Sequence, residues 1–436
     1  MKLSLLDALF FAFERQESPK HVAGLQVFEL PPGRDDDFVV ELVSQLRAIP
    51  VRREPWNLKL DWPRTAWPRW QPVEVDLKQH IIHERLPAPG TMQQLEELVG
   101  RLHAPQLDRF RPGWQVFVIE GLKDGRFATF TKIHHAYADG LTLVNRQLNP
   151  MGRQPGEPLV PAWSSRPPRR KNPDWKVRRS FIEQARARNR QIFNLLRVYP
   201  ELFSFVSRIF LQWIGLRRGR LTSPLTAPRT AFNQQPESSA RSTVTAALSL
   251  ARIKELCKAT DTTINEVVLT VCDIALQRYL DEHGAHTDEP LTLQMPVSLA
   301  RRGSGGKSDG GNEVALAWLK LGTEREPLAR LDEVRVSCHE VKDSFVEALS
   351  PEAVTTFTIL VAAIAQTLDV TKIDSLLPPV ANVLISNVPG PQETLYLGDA
   401  RMLALYPIST ILPGSALNIT VFSYDGDLFF GITSCS

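Results

Sequence analysis

The sequence predicts a mixed α/β protein of two domains, each a sheet covered by helices. Strand-like and helix-like patterns alternate in both halves of the 436-residue chain, which is typical of layered folds of this class. The chain is also longer than one hydrophobic core usually serves. A stretch rich in proline and arginine separates the halves. We therefore expect domains at residues 1–150 and 241–436, with residues 151–240 forming a linker and basic amphipathic helices.

The N-terminal half contains a strand, a helix and a hairpin with clear patterns. His21–Leu30 reads as a strand, and Thr91–Leu102 carries apolar residues at helical spacing. Trp114–Glu120 and Arg126–Ile133 are rich in β-branched and aromatic residues, and the turn sequence GLKDG joins them. Two such runs around a glycine-containing turn predict a β-hairpin, which leads directly into the stretch TKIHHAYADG.

The C-terminal half begins a new alternation at Arg241. Thr263–Asp281 is predicted to be a helix, because Thr263 and Glu266 have the spacing of a capping box. Predicted strands follow, and the last two form a hairpin around a turn that contains Asp425 and Gly426. These strands are Leu291–Val297, Glu313–Lys320, Ala381–Val388, Ala416–Phe422 and Leu428–Thr433.

Composition places the chain among globular proteins. Hydrophobic residues make up 43% and charged residues 23% of it. We expect no transmembrane helix, because no apolar run approaches about 20 residues. We also expect no signal peptide, because Asp7 interrupts the first apolar stretch and no small-residue cleavage site follows it. The four cysteines are scattered without a C-x-x-C pair, which favours reduced thiols in a cytosolic protein.

Charge is distributed unevenly along the chain. The net charge is +3, but Ser165–Arg220 alone holds fifteen Lys or Arg and three Asp or Glu. Such a basic segment in an otherwise acidic chain indicates an anionic surface or ligand and does not favour nucleic acid. Within it, Asp174–Trp213 reads as amphipathic helix. That pattern fits either helices packed across two domains or an element that faces lipid.

The stretch TKIHHAYADG carries adjacent histidines, His134 and His135, followed by Asp139 and Gly140. Metal binding is one possibility, but adjacent side chains on an extended segment point to opposite faces. Structural, hydrogen-bonded histidines are a second possibility. The third is general base catalysis by one imidazole, whose ordinary pKa of about 6.5 suits proton removal near neutral pH. Asp139 would then orient the loop, and Gly140 would allow close packing or a positive φ.

The motif HH-x-x-x-DG resembles that of the coenzyme A-dependent acyltransferase superfamily. This superfamily includes chloramphenicol acetyltransferase, carnitine acyltransferases and the condensation domains of peptide synthetases. Over nearly its whole length the chain resembles the bacterial wax ester synthase/diacylglycerol acyltransferase family. The matching stretches are LLDALFFAFER, RPGW, VIEGL, HHAYADG, APRTAFN, INEVVL, PVSLARR, ISNVPGP, LYPIS and ALNITVFSY.

The resemblance implies a fold, an activity and a location. It implies two chloramphenicol-acetyltransferase-like domains joined by a helical linker, with the active site at their interface. The implied activity moves a fatty acyl group from acyl-CoA to a long-chain alcohol or diacylglycerol, without a metal or cofactor. It also implies a cytoplasmic protein held peripherally at the inner membrane, lipid droplets or other lipid inclusions. The alternatives are a condensation-type enzyme that uses carrier-protein thioesters and a non-catalytic lipid-binding relative.

The resemblance also assigns roles to residues. His135 is the implied general base, His134 supports it, and Asp139 with Gly140 shapes the loop. Asn265, near the start of a predicted helix, would stabilise the oxyanion or orient His135. Substrate contacts are expected at Trp114, Ser386 and Asn387.

Three features depart from the family pattern. Pro112-Gly113-Trp114 stands where the family has Pro-Leu-Trp, so Gly113 is expected to change how a substrate channel is lined. Glu266 replaces the usual aspartate after Asn265, which leaves the role of that position open. The chain ends at Ser436, where the resemblance leads us to expect a further C-terminal helix.

Overall fold

Two compact units make up the protein. The computed structural model describes residues 3, 5–35, 37–63, 66–137, 140–164, 198–212, 214, 216, 222–298, 314–346, 348–373 and 376–435. Unit 1 comprises Met1–Ser165, Gln234–Asp261 and Ile385–Ser436, and unit 2 comprises Arg166–Asn233 and Thr262–Leu384. The expected C-terminal domain, residues 241–436, is thus shared between the units. The physical reason is strand pairing, which brings residues near the end of the chain into the sheet of the N-terminal residues.

Helices and strands alternate along the described chain, as the fold class requires. The first elements are α1 (Leu5–Ala12), β1 (His21–Glu29), α2 (Asp37–Ala48), β2 (Leu58–Asp61), β3 (Arg69–Pro72), α3 (Leu77–His80), β4 (Ile81–Arg85), α4 (Met92–His103), β5 (Trp114–Leu122), β6 (Arg126–His134) and α5 (Gly140–Leu148). The next are α6 (residues 198–212), β7 (Arg241–Ser249), α7 (Leu250–Thr260), α8 (Ile264–Glu282), β8 (Thr292–Ser298), β9 (Val314–Lys320), α9 (Pro327–Val341) and α10 (Pro351–Thr371). The last are β10 (Val383–Val388), β11 (Tyr396–Leu397), β12 (Ala400–Ile408), β13 (Leu417–Tyr424) and β14 (Asp427–Cys435).

The main sheet of unit 1 has six strands in the order β11-β12-β1-β6-β5-β4. Strand β1 runs antiparallel to both β12 and β6, and β4 runs parallel to β5. Strands β1 and β6 are buried along almost their whole length. That pattern is typical of strands covered on both faces, so apolar side chains on either side of the sheet enter a core.

Different helices cover the two faces of this sheet. On one face, the Lys132 ammonium donates a hydrogen bond to the main-chain carbonyl of Leu102 in α4. On the other face, Gly24 pairs with Thr131, and a Cβ added at Gly24 would lie 3.2 Å from the Gln147 side-chain oxygen in α5. Because side chains alternate along a strand, successive residues of β6 face α4 and α5 in turn.

Unit 1 also contains the late hairpin that the sequence predicts. Strands β13 and β14 pair antiparallel from Leu417↔Ser434 to Tyr424↔Asp427, and β14 pairs with β7 on its other side. Asp425 and Gly426 form the turn with φ values of 44° and 89°. Two successive residues with positive φ match the twist of a hairpin, and Asp-Gly is a preferred pair for that turn.

In unit 2, Val383 and Leu384 at the start of β10 pair parallel with β8, and β8 pairs antiparallel with β9. Helix α8 begins with the capping box that the sequence predicts. The Thr263 hydroxyl accepts from the Glu266 amide, and the Glu266 carboxylate accepts from the Thr263 amide at 2.7 Å. The mixed α/β character of both units confirms the predicted fold class.

Two apolar helices of unit 2 pack together. Phe205 of α6 contacts Phe345 and Phe357, with ring centroids 5.6 and 5.1 Å apart. Helix α10 is 21 residues long and apolar enough to cross a membrane by length and composition alone, although 33% of its most apolar stretch is buried. The sequence expectation did not anticipate this helix, and core helices also pass that test.

Candidate active site

The two histidines lie where β6 ends. His134 is the last residue of the strand, and the chain turns at His135. The His134 amide donates to the Gly113 carbonyl, and the His135 amide donates to the Lys20 carbonyl, each at 2.8 Å. Successive amides of an extended segment point to opposite sides, so the two neighbouring segments each hold one peptide group. Both imidazoles therefore start from a fixed backbone.

His134 is enclosed in the core of unit 1. Its side chain is 2% exposed and stacks on Phe11 with ring centroids 4.0 Å apart and an interplanar angle of 6°. Its Nδ1 accepts from the Ala136 amide at 3.2 Å, so the ring proton belongs on Nε2. Burial, with the nearby charges of His135 and Arg109, lowers the pKa of His134 well below its ordinary value. A neutral imidazole in this position supports the site and does not titrate near neutral pH.

Glu14 holds the other side of the His134 ring. Its carboxylate is 1% exposed, and its Oε1 lies 3.7 Å from His134 Nε2. The same carboxylate accepts from the Lys20 amide at 3.1 Å and from two nitrogens of Arg109 at 3.2 and 3.3 Å. A buried charge requires such partners. Sequence reasoning missed Glu14, although it lies in the FFAFER stretch that carries part of the resemblance.

His135 has a different environment from its neighbour. It is half-buried and stacks on Phe10, with ring centroids 4.3 Å apart and an interplanar angle of 21°. Consecutive residues of α1, Phe10 and Phe11, thus each cover one imidazole. Of the pair, His135 is the more exposed residue, whereas His134 is closed off.

Tyr137 fills the space beside Gly113. A Cβ at Gly113 would lie 2.6 Å from Cε2 of Tyr137 and 3.2 Å from the His134 Cβ. The Tyr137 hydroxyl donates to the Leu58 carbonyl at 2.9 Å, and its ring packs on Trp70 at 4.5 Å. Burial raises the pKa of Tyr137, so the hydroxyl remains a donor. Where the family has the leucine of Pro-Leu-Trp, this chain has Gly113, and the space beside it is filled by Tyr137 of the histidine motif.

The rest of the motif continues into α5. Gly140 is the first residue of that helix. Arg146 donates to the Tyr137 carbonyl at 2.9 Å, which ties the helix back to the turn. Asp139 lies outside the described residues, so its structural role stays a prediction.

A basic cluster lies behind His134, on the same face of the sheet. Burial lowers the pKa of Lys132 to about 7, and the charge of nearby Glu14 partly opposes this effect. Burial and the nearby Lys132 also lower the pKa of His21 and, to about 3, that of His103. His21 Nε2 and the His103 carbonyl are 2.6 Å apart. These imidazoles are structural, because neither is exposed and both are held neutral.

Trp114 occupies the core. It is fully buried, and its indole N–H donates to the Trp56 carbonyl at 2.8 Å. Its ring stacks on Trp163 at 5.4 Å and packs against Trp56 edge-on. The structure thus gives Trp114 a packing role, and its contact with substrate stays a prediction.

The other expected site residues lie elsewhere in the chain. Ser386 and Asn387 are half-buried in β10. Asn265 is half-buried in the first turn of α8, next to the capping residue Glu266. Asn265 belongs to unit 2 and His135 to unit 1, so a shared catalytic role stays a prediction. Glu266 has a clear local role, since its carboxylate caps the helix.

Metal chemistry was the other possible use of the histidine pair. Across the residues that the structure describes, no group of three or more His, Cys, Asp or Glu side chains could hold a metal ion. His134 Nδ1 is also occupied by a main-chain amide. Asp139, the third candidate ligand, lies outside the described residues, so the absence of a metal at this motif stays a prediction.

Two family models match the chain. The wax ester synthase/diacylglycerol acyltransferase catalytic domain matches residues 3–268, and the C-terminal domain of the same family matches residues 310–436. The chain belongs to the wax ester synthase/diacylglycerol acyltransferase family. This confirms the resemblance seen in the motifs and the expectation of an O-acyltransferase.

Relatives of the family cover the chain almost completely. A putative diacylglycerol O-acyltransferase of Mycobacterium tuberculosis is 36% identical over 445 residues, covering 99% of this chain and 94% of the relative. A probable diacylglycerol O-acyltransferase of the same organism is 34% identical over 442 residues, covering 99% and 91%. This family membership also implies acyl-CoA and an acceptor lipid as substrates.

Solved structures agree with the family assignment. The wax ester synthase/diacylglycerol acyltransferase from Marinobacter aquaeolei VT8 matches with a TM-score of 0.75 and 30% identity, covering 100% of this chain and 93% of that one. A condensation domain of the calcium-dependent antibiotic synthetase matches with a TM-score of 0.55 and 12% identity, covering 99% and 90%. The second match shows a shared fold alone.

Proposed function

We propose that this chain transfers a fatty acyl group from acyl-CoA to the hydroxyl of a long-chain alcohol or diacylglycerol, with His135 as the general base. The observation that carries the proposal is the unequal pair of histidines. His134 is buried, neutral and hydrogen-bonded through Nδ1. His135 is half-buried just after the end of β6, and its amide is held by the Lys20 carbonyl.

Each step of the proposed reaction balances its protons. The His135 imidazole takes the proton from the acceptor hydroxyl as its oxygen attacks the thioester carbonyl. The tetrahedral intermediate then collapses, the carbon–sulfur bond breaks, and coenzyme A leaves as a thiolate that takes the proton from the His135 imidazolium. No covalent acyl-enzyme forms. General base catalysis of this kind supplies about 10²–10⁴-fold in rate.

The supporting residues of unit 1 serve orientation in this mechanism. Phe10 and Phe11 fix the planes of the two rings by stacking. Glu14 and Arg109 form an ion pair beside His134, so together they add no net charge next to the histidines. Substrate binding can then change the protonation of His135 without a rearrangement of its neighbour.

A thiol-release assay tests the proposal. The purified chain is given palmitoyl-CoA with hexadecanol or diacylglycerol, and free coenzyme A is measured together with the ester product. His135→Ala is expected to lose at least about 10²-fold in kcat while its circular dichroism spectrum is unchanged. Tyr279→Phe, an exposed aromatic substitution in unit 2, is the control. A folded His135→Ala protein with full activity refutes the base assignment.

We further propose that the protein works at a lipid surface, on the cytoplasmic side of the inner membrane or on lipid inclusions. Helix α6 presents an apolar stripe to solvent at helical spacing, with Phe203 76% and Phe210 54% exposed. Helix α10, which packs on α6 through Phe205, exposes Leu360 and Ile364 one turn apart. Exposed apolar stripes of this kind partition to membrane interfaces.

Vesicle sedimentation tests this second proposal. The double variant Phe203→Ser and Phe210→Ser is expected to remain in the supernatant with anionic phospholipid vesicles while the parent protein sediments. Val40→Ser, which removes an exposed apolar residue of unit 1, is the matched control. Equal sedimentation of parent and double variant contradicts a role for α6. The basic residues before α6 lie outside the described residues, and their contact with anionic lipid stays a prediction.

A further inference from the structure

A cavity of about 60 Å³ lies inside unit 1, on the α5 face of the main sheet. Its floor is formed by β1, β5 and β6, and its cover by α5 and residues 151–163. Its walls include Gln26, Val116, Thr131, Gln147, Met151 and Trp163. The volume accommodates roughly five water-sized groups. The cavity is therefore large enough for a short part of an alkyl chain that carries one oxygen atom.

Gln147 is the unusual residue of this cavity. The residue is 8% exposed, yet among the residues that the structure describes neither its amide nitrogen nor its amide oxygen has a hydrogen-bond partner. The oxygen lies over Gly24, where a side chain would approach to 3.2 Å. A buried amide without partners is strongly unfavourable. It is retained most easily where a bound group supplies the missing donor or acceptor.

The other polar groups of the cavity are only partly satisfied. The side-chain oxygen Oε1 of Gln26 accepts from the Thr129 hydroxyl at 3.1 Å. The Gln26 amide nitrogen has the sulfurs of Met151 and Met402 as acceptors, at 3.6 and 3.4 Å. Thioether sulfur is a weak acceptor. An oxygen that enters the cavity would therefore meet two amide groups that lack strong partners.

Strand geometry connects the cavity to the proposed base. Thr131 and Ile133 are two residues apart in β6, so they point to the same side of the sheet, and His135 follows directly after the end of that strand. Thr131 lines the cavity, and at about 3.3 Å per residue it lies roughly 13 Å along the chain from His135. An extended fatty chain whose reacting carbon lies at His135 is long enough to reach that depth.

We propose that the cavity receives the distal part of a substrate's alkyl chain, and that Gln147 selects chains bearing a mid-chain hydroxyl or keto oxygen. This inference rests on the proposed acyl transfer at His135. The amide of Gln147 can donate to either oxygen and accept from a hydroxyl. An unsubstituted chain leaves the amide unpaired, whereas an oxygenated chain satisfies it. A site built to hydrogen-bond a substrate discriminates strongly against the analogue that lacks the polar group.

Competition between chains tests the inference. Palmitoyl-CoA and a series of hydroxypalmitoyl-CoA isomers are compared with one alcohol acceptor, and the matching hydroxylated alcohols are compared with one acyl donor. The parent protein is expected to prefer one hydroxyl position by about tenfold or more in kcat/KM, in either the donor or the acceptor arm. Gln147→Leu is expected to abolish that preference. Gln93→Leu, an exposed glutamine of α4, is the control.

Direct binding separates this inference from the proposed function. Tryptophan quenching reports occupancy without catalysis, because Trp56 and Trp163 line the cavity. If the parent protein transfers no acyl group but still binds one hydroxylated fatty acid at least tenfold more tightly than Gln147→Leu does, the cavity assignment stands and the proposed activity fails. If no hydroxyl position is preferred in rate or binding, or Gln147→Leu keeps the preference, the cavity holds water only and the inference is overturned.

Discussion

Replacing Gly113 with alanine tests the fit between that residue and Tyr137. The added Cβ would lie 2.6 Å from Cε2 of Tyr137 and 3.2 Å from the His134 Cβ. Carbon atoms in contact prefer about 3.5–4.0 Å, so the tyrosine ring has to move by about 1 Å. Its hydrogen bond to the Leu58 carbonyl and its packing on Trp70 oppose that movement.

The magnitude follows from two opposing effects. Overpacking a well-filled core costs about 1–3 kcal/mol. Gly113 has no positive φ, so alanine also restricts the unfolded chain and stabilises by about 0.4–1 kcal/mol. We expect a net destabilisation of about 1–2 kcal/mol, or a drop in Tm of about 2–8 °C at roughly 2–4 °C per kcal/mol. The His134 Cβ, at 3.2 Å, has to move by only about 0.3 Å to reach contact distance, so we expect a smaller effect on kcat than on stability.

A double-mutant cycle with Tyr137→Leu measures the contact directly. Thermal unfolding and thiol release are recorded for Gly113→Ala, Tyr137→Leu and the pair. Leucine lacks the ring edge that the new Cβ meets, so the pair is expected to be about 1–2 kcal/mol more stable than the sum of the single changes. Tyr137→Phe keeps the ring and serves as the control, because the cost of Gly113→Ala is expected to be unchanged in its presence. If Gly113→Ala costs the same with leucine at position 137 as with tyrosine, the steric reasoning is refuted.

Two further predictions concern charged groups of unit 1. Glu14→Gln keeps the shape but loses the charge-assisted bonds to Arg109, so we expect a loss of about 1.5–3 kcal/mol in stability. Because Glu14 acts on the histidines by positioning them, the substitution should lower kcat by up to about 10²-fold with little change in KM. A rise in KM as large as the fall in kcat would contradict this role. Burial lowers the pKa of Lys132 from its ordinary 10.5 to about 7, so the unfolded chain binds that proton more tightly. The stability gained by Lys132→Met should therefore be largest below about pH 7 and shrink as the pH rises toward about 10, and a pH-independent difference in Tm would show that Lys132 keeps an ordinary pKa.

Much of the secondary structure was predictable because its signals are local. The predicted strand at His21–Leu30 is His21–Glu29, and the predicted helix at Thr91–Leu102 is Met92–His103 with a full capping box at Thr91. The turn at Asp425-Gly426 and the capping box at Thr263 also follow from short-range hydrogen bonding and backbone preference. Such features depend on residues within a few positions of each other, so the sequence contains them fully.

Long-range partners were not predictable in the same way. Glu14 lies 120 residues before His134 and reaches it only because α1 returns to the end of β6. Phe10 and Phe11 read as ordinary apolar helix residues, although each stacks on one imidazole. Without the fold, no spacing rule connects them to the motif.

The sequence by itself determined the family and the alternation that separates His134 from His135, and it made general base chemistry at His135 a prediction. Those conclusions depend on residue type and on a period of two along one strand. Only the tertiary structure decided that His134 is the closed, neutral ring, that Tyr137 takes the space beside Gly113, and that Gln147 is buried without a hydrogen-bond partner in the described part of the chain. These depend on which distant segments enclose each side chain, because burial and packing are properties of the folded chain and not of any short stretch of it.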